Sequence, residues 1–149
     1  MKTVDVTWLR NLQFVGTDSG KHSVVLSGSG PEDGIGMKPS DLLLVSLGGC
    51  TAYDVANILQ KKRQPLTGLR VTVSGEQAPD PPWPYVKIHV HYEIIGHSLD
   101  SDAVAQAIKL SKEKYCSVSA TLSQAVELTY DYEIREAEVS VASREPTSD

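Results

Sequence analysis

Cysteine is scarce in this sequence, which has two cysteines, Cys50 and Cys116, among 149 residues. No Cys-x-x-Cys motif occurs, and no histidine lies at the usual ligand spacing from either thiol. Structural zinc sites are generally built from such closely spaced cysteines and histidines. We therefore expect neither a metal nor another cofactor.

A long apolar leader is also missing. The opening residues Met1 to Val6 contain no apolar signal-peptide core, and no apolar run approaches the length that spans a membrane. These absences predict a cytoplasmic protein with no membrane partner. Structural disulfides are uncommon in that compartment, so a cysteine pair there is more often catalytic or metal-bound.

An excess of positive charge is the third absence. The chain has 14 Lys and Arg residues against 19 Asp and Glu residues, which gives a net charge of −5. This balance argues against a nucleic-acid partner. The length and a hydrophobic fraction of 40% are those of one globular domain with its own core. We predict that this domain covers residues 1–137 and that the polar segment 138–149 is a flexible tail.

Six short stretches of alternating apolar and polar residues predict strands, and two longer stretches predict helices. The strands are predicted near residues 4–8, 12–15, 23–26, 69–73, 86–94 and 126–134, and the helices over 39–63 and 100–115. The loop from Gln77 to Pro84 holds four prolines and cannot enter a sheet interior. The order βββ-α-ββ-α-β predicts an α+β fold.

The first predicted helix, Pro39 to Arg63, is unusually long and apolar. Unbroken, it would extend over roughly 37 Å at 1.5 Å per residue. Residues Leu42 to Leu47 leave almost no polar face, which indicates burial on all sides and predicts that a second subunit helps to cover the helix. Gly48 and Gly49 each cost about 1 kcal/mol relative to alanine in a helix. The helix therefore needs them for a close backbone approach or a kink beside Cys50.

Each cysteine occupies a marked structural position. Cys50 directly follows two glycines in the apolar helix, and Cys116 follows the second predicted helix. Two such thiols, distant in sequence, suggest a pair that meets in space for redox chemistry. The negative end of a helix dipole would disfavour a thiolate at Cys116, so we expect it to be the slower thiol. Against this, a single cysteine in an apolar helix is usually core filler.

Two segments resemble the OsmC/Ohr family, and within it the YhfA-type branch. They are Lys38 to Val55, which contains the Gly-Gly-Cys-Thr sequence, and Glu113 to Val118, which contains Tyr-Cys-Ser-Val. The similarity extends from the strand of Trp8 to about Ile134. It implies an intertwined α+β homodimer in which antiparallel-rich sheets wrap the long central helix, with active sites at the interface.

The resemblance also implies the chemistry. Family members reduce organic hydroperoxides with a peroxidatic cysteine, here Cys50, and a resolving cysteine, here Cys116, and they take electrons from dithiols, often protein-bound lipoamide. A family arginine near the N-terminus stabilises the thiolate and is held by a glutamate at the start of the cysteine helix. Arg10 is the corresponding candidate. Ser40 stands at the glutamate position, and the acid follows one residue later as Asp41, about 100° further around the helix.

Simpler interpretations stay open for several of these residues. Arg10 is equally well explained as an ordinary surface charge, and Asp41 as an acid that favours the positive end of a helix. His89 and His91 share one strand face and offer metal ligands, although a solvated face is the expected interpretation.

Two alternative functions also stay open. The first is a non-catalytic dimer whose interface cleft binds a hydrophobic small molecule. The second is a redox sensor in which a disulfide between Cys50 and Cys116 alters a partner-binding surface.

Overall fold

The structure is a computed structural model, and it describes residues 1–138. The predicted tail begins at Glu138, and the rest of it, residues 139–149, lies outside the described residues. The elements are β1 (Val4–Arg10), β2 (Gln13–Asp18), β3 (Ser23–Ser27), α1 (Pro39–Lys61), β4 (Leu66–Gln77), β5 (Tyr85–Gly96), α2 (Ser101–Leu110), a π-helical turn (Ser111–Tyr115), α3 (Ser117–Leu122) and β6 (Glu127–Glu136). The predicted α+β class and strand order are confirmed, and the π-helical turn and α3 were not predicted.

The chain divides into two compact units, residues Met1–Leu47 and the residues from Gly48 onward. The boundary falls within α1. Each unit contains one three-stranded sheet. That residues 1–137 fold as one domain stays a prediction.

The sheet of the first unit is antiparallel, with β2 in the middle. All seven residues of its edge strand β1 are exposed. The apolar side chains of Val4, Val6 and Trp8 have exposed fractions of 67%, 60% and 63%. The predicted alternation is therefore present, but within residues 1–47 nothing covers its apolar face.

The sheet of the second unit has β5 in the middle, paired antiparallel with β4 and parallel with β6. Every second residue of β5 is fully buried, namely Ile88, Val90, Tyr92 and Ile94. Val55 and Leu59 of α1 are also fully buried. The core of this unit is therefore one face of the sheet together with the second half of α1 and the inner side of α2.

The glycine pair in α1 is only half explained by close packing. A Cβ atom on Gly48 would lie 3.1 Å from Cγ2 of Val73 in β4, tighter than nearly all real Cβ contacts. A Cβ atom on Gly49 would meet nothing within 4 Å. The close approach expected from the sequence is therefore present at Gly48, and the structure offers no such reason for Gly49.

Two statements about α1 need correction. The helix ends at Lys61 rather than Arg63, which has a left-handed φ of 56°. Leu43 and Val45 of this helix are exposed within one chain, so its burial on all sides with the help of a second subunit stays a prediction. By length and composition α1 could also cross a membrane, so the statement that no apolar run approaches that length was wrong. The core helix of a globular protein passes the same test.

The second predicted helix changes geometry before it ends. Asp100 caps α2, because its Oδ1 accepts a 2.9 Å hydrogen bond from the Asp102 N–H. The predicted α-helix through Tyr115 is wrong after Leu110, where the chain widens into the π-helical turn. There the Cys116 N–H donates to the Ser111 carbonyl, five residues back, at 2.9 Å. Such turns occur frequently at functional sites.

Candidate functional site

The two cysteines and one carboxylate lie together in the second unit. The sulfur atoms of Cys50 and Cys116 and a carboxylate oxygen of Asp54 all lie within 4.8 Å of one another. Both thiols are free. Cys50 is partly exposed, whereas Cys116 is 2% exposed. The structure thus brings together both predicted site cysteines and adds an acid that we did not predict as a site residue.

Helix geometry explains the position of Asp54. It follows Cys50 by four residues in α1, and side chains four apart lie on the same face of a helix. This spacing was visible in the sequence and was the available signal for Asp54. The approach of Cys116 to that face has no such local signal. It was expected only from the marked positions of the two cysteines and from the family resemblance.

A chain of buried hydroxyl groups leads to Asp54. Tyr92 Oη lies 2.5 Å from Thr51 Oγ1, which lies 3.0 Å from Ser111 Oγ. Ser111 Oγ in turn donates to Asp54 Oδ2 at 3.0 Å. Tyr92, Thr51 and Ser111 are all fully buried. The chain therefore joins β5, α1 and the π-helical turn behind the two thiols.

The direction of these hydrogen bonds follows from the number of protons that each group can donate. Each hydroxyl has one proton to donate, and an ionised carboxylate only accepts. Since Ser111 donates to Asp54, it accepts from Thr51, which in turn accepts from Tyr92. Burial raises the pKa of Tyr92 to about 12, so Tyr92 holds its proton at neutral pH. All three donors therefore point toward the carboxylate of Asp54.

The surroundings of Cys116 correct the expectation that a helix C-terminus disfavours its thiolate. Cys116 also caps the N-terminus of α3, where its Sγ accepts a 3.3 Å hydrogen bond from the Ser119 N–H. Burial nonetheless raises the pKa of the Cys116 thiol, and its hydrogen bond with Cys50 raises it further, while the bonds from Ser119 oppose the rise. Cys116 is thus held protonated by burial and by its neighbouring thiol rather than by a helix dipole.

The structure does not join the other two predicted site residues to each other. Arg10 is exposed at the end of β1, and its Nε donates to Gln13 Oε1 at 3.2 Å. Asp41 is exposed in the first turn of α1. Within residues 1–138 no ion pair connects them. Their roles as thiolate-stabilising cation and holding acid stay predictions.

A cavity of about 390 Å³ reaches Asp54 from the surface of the second unit. Its walls combine apolar, cationic and aromatic side chains: Asn57, Ile58, Lys61, Lys62, Leu110 and Tyr115. A mixed lining of this kind suits a small amphipathic molecule better than a purely apolar one.

The thiol cluster has two chemical capabilities. Two adjacent thiols can cycle between dithiol and disulfide, with the more exposed one open to an oxidant. Two thiolates and a carboxylate are also zinc ligand types, although such a site would need a further ligand. In the part of the chain that the structure describes, no hydrogen bond or ion pair joins a lysine or arginine to Cys50, Asp54 or Cys116.

Comparison with known proteins identifies the family. The family model described as OsmC-like protein matches residues 30–131. Protein YhfA of Escherichia coli strain K12 is 36% identical over 129 residues, which cover 87% of this chain and 95% of that protein.

Solved structures share the fold. A hypothetical protein from Aquifex aeolicus has 30% sequence identity and a TM-score of 0.82, with 93% of this chain and 98% of that chain covered. An organic hydroperoxide resistance protein OsmC from Legionella pneumophila has a TM-score of 0.63 at 12% identity, with 89% and 96% covered. The fold, the matched segment and the relatives agree, and the chain belongs to the OsmC-like protein family.

Proposed function

We propose that this protein is a thiol-dependent peroxidase that reduces organic hydroperoxides in the oxidative stress response. The observation that carries the proposal is the pair of free thiols within 4.8 Å, one partly exposed and one buried. The Legionella structure with this fold is named an organic hydroperoxide resistance protein, which supports the choice of substrate.

The proposed cycle has three balanced steps. The Cys50 thiolate attacks the outer oxygen of the hydroperoxide, the O–O bond breaks, and the alcohol leaves after taking a proton, which leaves Cys50 as a sulfenic acid. The Cys116 sulfur then attacks the Cys50 sulfur, a disulfide forms, and water leaves. A dithiol such as a lipoyl group reduces the disulfide and is itself oxidised.

The exposure of the two thiols decides their roles in this proposal. A hydroperoxide must reach the attacking sulfur, and Cys50 is the more exposed of the two. The hydrogen bond with Cys50 raises the pKa of Cys116, which suits Cys116 to the slower, resolving role. We therefore assign attack to Cys50 and resolution to Cys116.

Asp54 is assigned the proton transfer of the resolving step. The Cys116 thiol must lose its proton before it attacks, and burial raises its pKa. The Asp54 carboxylate lies within 4.8 Å of the Cys116 sulfur and is oriented by the Ser111 hydroxyl. We propose that one water molecule carries the proton from the Cys116 thiol to this carboxylate.

A cation has to offset the charge of Asp54 when Cys50 ionises, because a like charge nearby disfavours the thiolate. We assign this role to Arg10, held by Asp41, as the family resemblance implies. A guanidinium held by a carboxylate is well suited to it, since the pair fixes the position of the charge.

The assembly that we propose is a homodimer. The exposed apolar side chains of β1 and α1, among them Val6, Trp8 and Val45, form a surface that a second copy would cover. Light scattering at micromolar concentration should show a dimer, and Val6→Asp should weaken it. A stable folded monomer of the unaltered chain would exclude this assembly. We also place the protein in the cytoplasm.

A second candidate function rests on a cavity of about 710 Å³ in the first unit. Its lining is mainly apolar and includes Val4, Val6, Leu26, Leu42 and Leu43. A hydrophobic small molecule of ordinary size fits such a volume. A lipid-like molecule retained through purification, found by mass spectrometry of an organic extract, together with no peroxide turnover, would favour this function.

The experiment that tests the peroxidase measures cumene hydroperoxide consumption with dihydrolipoamide as reductant. Cys50→Ser should remove turnover, and Cys116→Ser treated with one equivalent of hydroperoxide should accumulate a sulfenic acid at Cys50 that a sulfenate-specific probe labels. Asp54→Asn should slow formation of the disulfide between Cys50 and Cys116. Asp102→Asn, which changes an exposed acid in the first turn of α2, is the matched control. Undiminished turnover in Cys50→Ser would exclude the assignment. Labelling of Cys116 in Cys50→Ser, to the same extent as Cys50 in Cys116→Ser, would exclude their distinct roles.

A further inference from the structure

We propose that His89, His91 and Asp131 form a binding site for a divalent transition-metal cation such as Zn²⁺. The site lies on the face of the β4–β5–β6 sheet opposite the buried core, and it takes no part in the thiol chemistry. Two imidazoles and one carboxylate are a frequent ligand set for such cations.

Strand geometry brings the three ligands together. His89 and His91 are two residues apart in β5, so both side chains leave the same face of the sheet. In the adjacent strand β6, Asp131 is the register partner of His91, and Thr129 is the partner of His89. The ligand atoms of His89, His91 and Asp131 all lie within 4.8 Å of one another.

The threonine orients one of the imidazoles. His89 Nδ1 lies 2.7 Å from Thr129 Oγ1. With the cation bound, Nδ1 would donate its proton to this oxygen, and the lone pair of Nε2, which lies 3.1 Å from Asp131 Oδ1, would be directed at the cation. Metal-bound histidines are regularly fixed in this way by a hydrogen bond to the other ring nitrogen.

The contact between His91 and Asp131 has to widen to admit the cation. His91 Nδ1 lies 2.6 Å from Asp131 Oδ1. Zinc–ligand bonds of about 2.0–2.1 Å at a tetrahedral angle separate neighbouring ligand atoms by roughly 3.3 Å. The His89–Asp131 distance of 3.1 Å is already close to this value. The His91 and Asp131 side chains are 34% and 60% exposed, so the outer contact has room to widen.

Asp131 differs from the neighbouring acids Glu93 and Glu133 in its ion-pair partners. Arg135 forms ion pairs with both Glu93 and Glu133. In the part of the chain that the structure describes, the ion pairs of Asp131 are with His89 and His91 alone. A divalent cation bound between these three side chains would supply positive charge beside the Asp131 carboxylate. His22 with Asp18 makes a comparable pair that has only one histidine and serves as the control.

The test measures Zn²⁺ binding by isothermal titration calorimetry on tag-free protein near neutral pH. All variants are made in a Cys50→Ser/Cys116→Ser background, which removes the thiol ligands and makes the result independent of the proposed peroxidase. We expect one Zn²⁺ per chain. His89→Ala and Asp131→Asn should each weaken binding at least tenfold, Thr129→Val by about tenfold, and His22→Ala should leave it unchanged.

Acidification gives an independent readout. Histidine ligands must lose their protons to bind, so Zn²⁺ affinity should fall as pH falls below neutrality, and zinc binding should release protons. Absence of saturable binding in the background protein would overturn the proposal. So would affinity that survives both His89→Ala and Asp131→Asn, since the metal would then be held elsewhere.

Discussion

Strands β1 and β5 carry the same alternation of apolar and polar residues and differ in what covers it. Every residue of β1 is exposed, whereas β5 buries Ile88, Val90, Tyr92 and Ile94 completely. A period of two shows only that a strand has an apolar face. Whether that face meets another part of the same chain, a ligand or a second copy depends on what packs against it.

The two regions are alike in how they satisfy buried polar groups. The region from Gly48 buries the hydroxyls of Thr51 and Ser111 completely. Within residues 1–138 no buried side-chain nitrogen or oxygen lacks a hydrogen-bond partner. Since an unpaired buried polar group is costly, a polar core is tolerated where each member finds a partner. Both regions meet this condition, with Gln13 and Ser27 buried in the first and Thr51 and Ser111 in the second.

The largest expected effect is on stability and compares Ile88 with Val6. Ile88 is fully buried, so Ile88→Ala should lower the free energy of unfolding by about 2–5 kcal/mol. Val6 is 60% exposed, so Val6→Ala should cost far less in the monomer. Urea unfolding at several protein concentrations measures both. The two substitutions are compared at a protein concentration where light scattering shows a monomer. Equal losses in the free energy of unfolding there would contradict the difference in burial between β5 and β1.

The next effect tests whether the first region contributes to the site. If Arg10 supplies the cation, Arg10→Ala should lower kcat/KM for cumene hydroperoxide by about 10²-fold, as removal of a preorganised charge-stabilising group does. Arg10→Lys should recover part of the rate. Arg135→Ala is the matched control, because Arg135 pairs with Glu93 and Glu133. These residues lie on the histidine face, which is the face of the β4–β5–β6 sheet that carries His89 and His91. Unchanged kinetics in Arg10→Ala would leave Arg10 as a surface charge.

A smaller effect concerns the buried hydroxyl chain. Tyr92→Phe removes its first donor and should cost about 1 kcal/mol. Burial raises the pKa of Tyr92 to about 12 from an ordinary value of 10.0, so the folded state favours the neutral phenol. This contribution is fully present below pH 10 and is lost as pH rises through about 12.

Thermal unfolding across this alkaline range measures the effect as the difference between the unaltered chain and Tyr92→Phe. Tyr53→Phe is the control, because Tyr53 is 73% exposed. A difference that does not change with pH would show that Tyr92 does not titrate abnormally.

The smallest effect lies on the histidine face. The hydrogen bond from His91, and to a lesser degree that from His89, lowers the pKa of Asp131 below its ordinary value of 3.8. Its stabilisation is therefore present above pH 3.8 and is lost as pH falls through the lower folded value. The thermal midpoints of Asp131→Asn and the unaltered chain should converge in acid, with Asp5→Asn in β1 as the control. A constant difference would contradict the shift.

Much of the fold could be predicted from the sequence because its signals are local. Alternation indicated all six strands, the apolar run beginning at Pro39 indicated α1, and Asp100 marked the start of α2. The segments around Cys50 and Cys116 were specific enough to indicate the family that the relatives then showed. The end of the second helix was not predictable in the same way, because its residues favour an ordinary helix and the wider turn is stabilised by packing.

The sequence by itself determined which thiols exist and, through the four-residue spacing, that Asp54 shares a helix face with Cys50. Only the tertiary structure decided that Cys116 reaches that face and that three hydroxyls point toward Asp54. Thr51 is 41 residues from Tyr92 and 60 from Ser111. Contacts over such separations have no local sequence signal. They form because α1 packs against β5 and the π-helical turn, and the polar groups buried by this packing are stable only when they are hydrogen-bonded to one another.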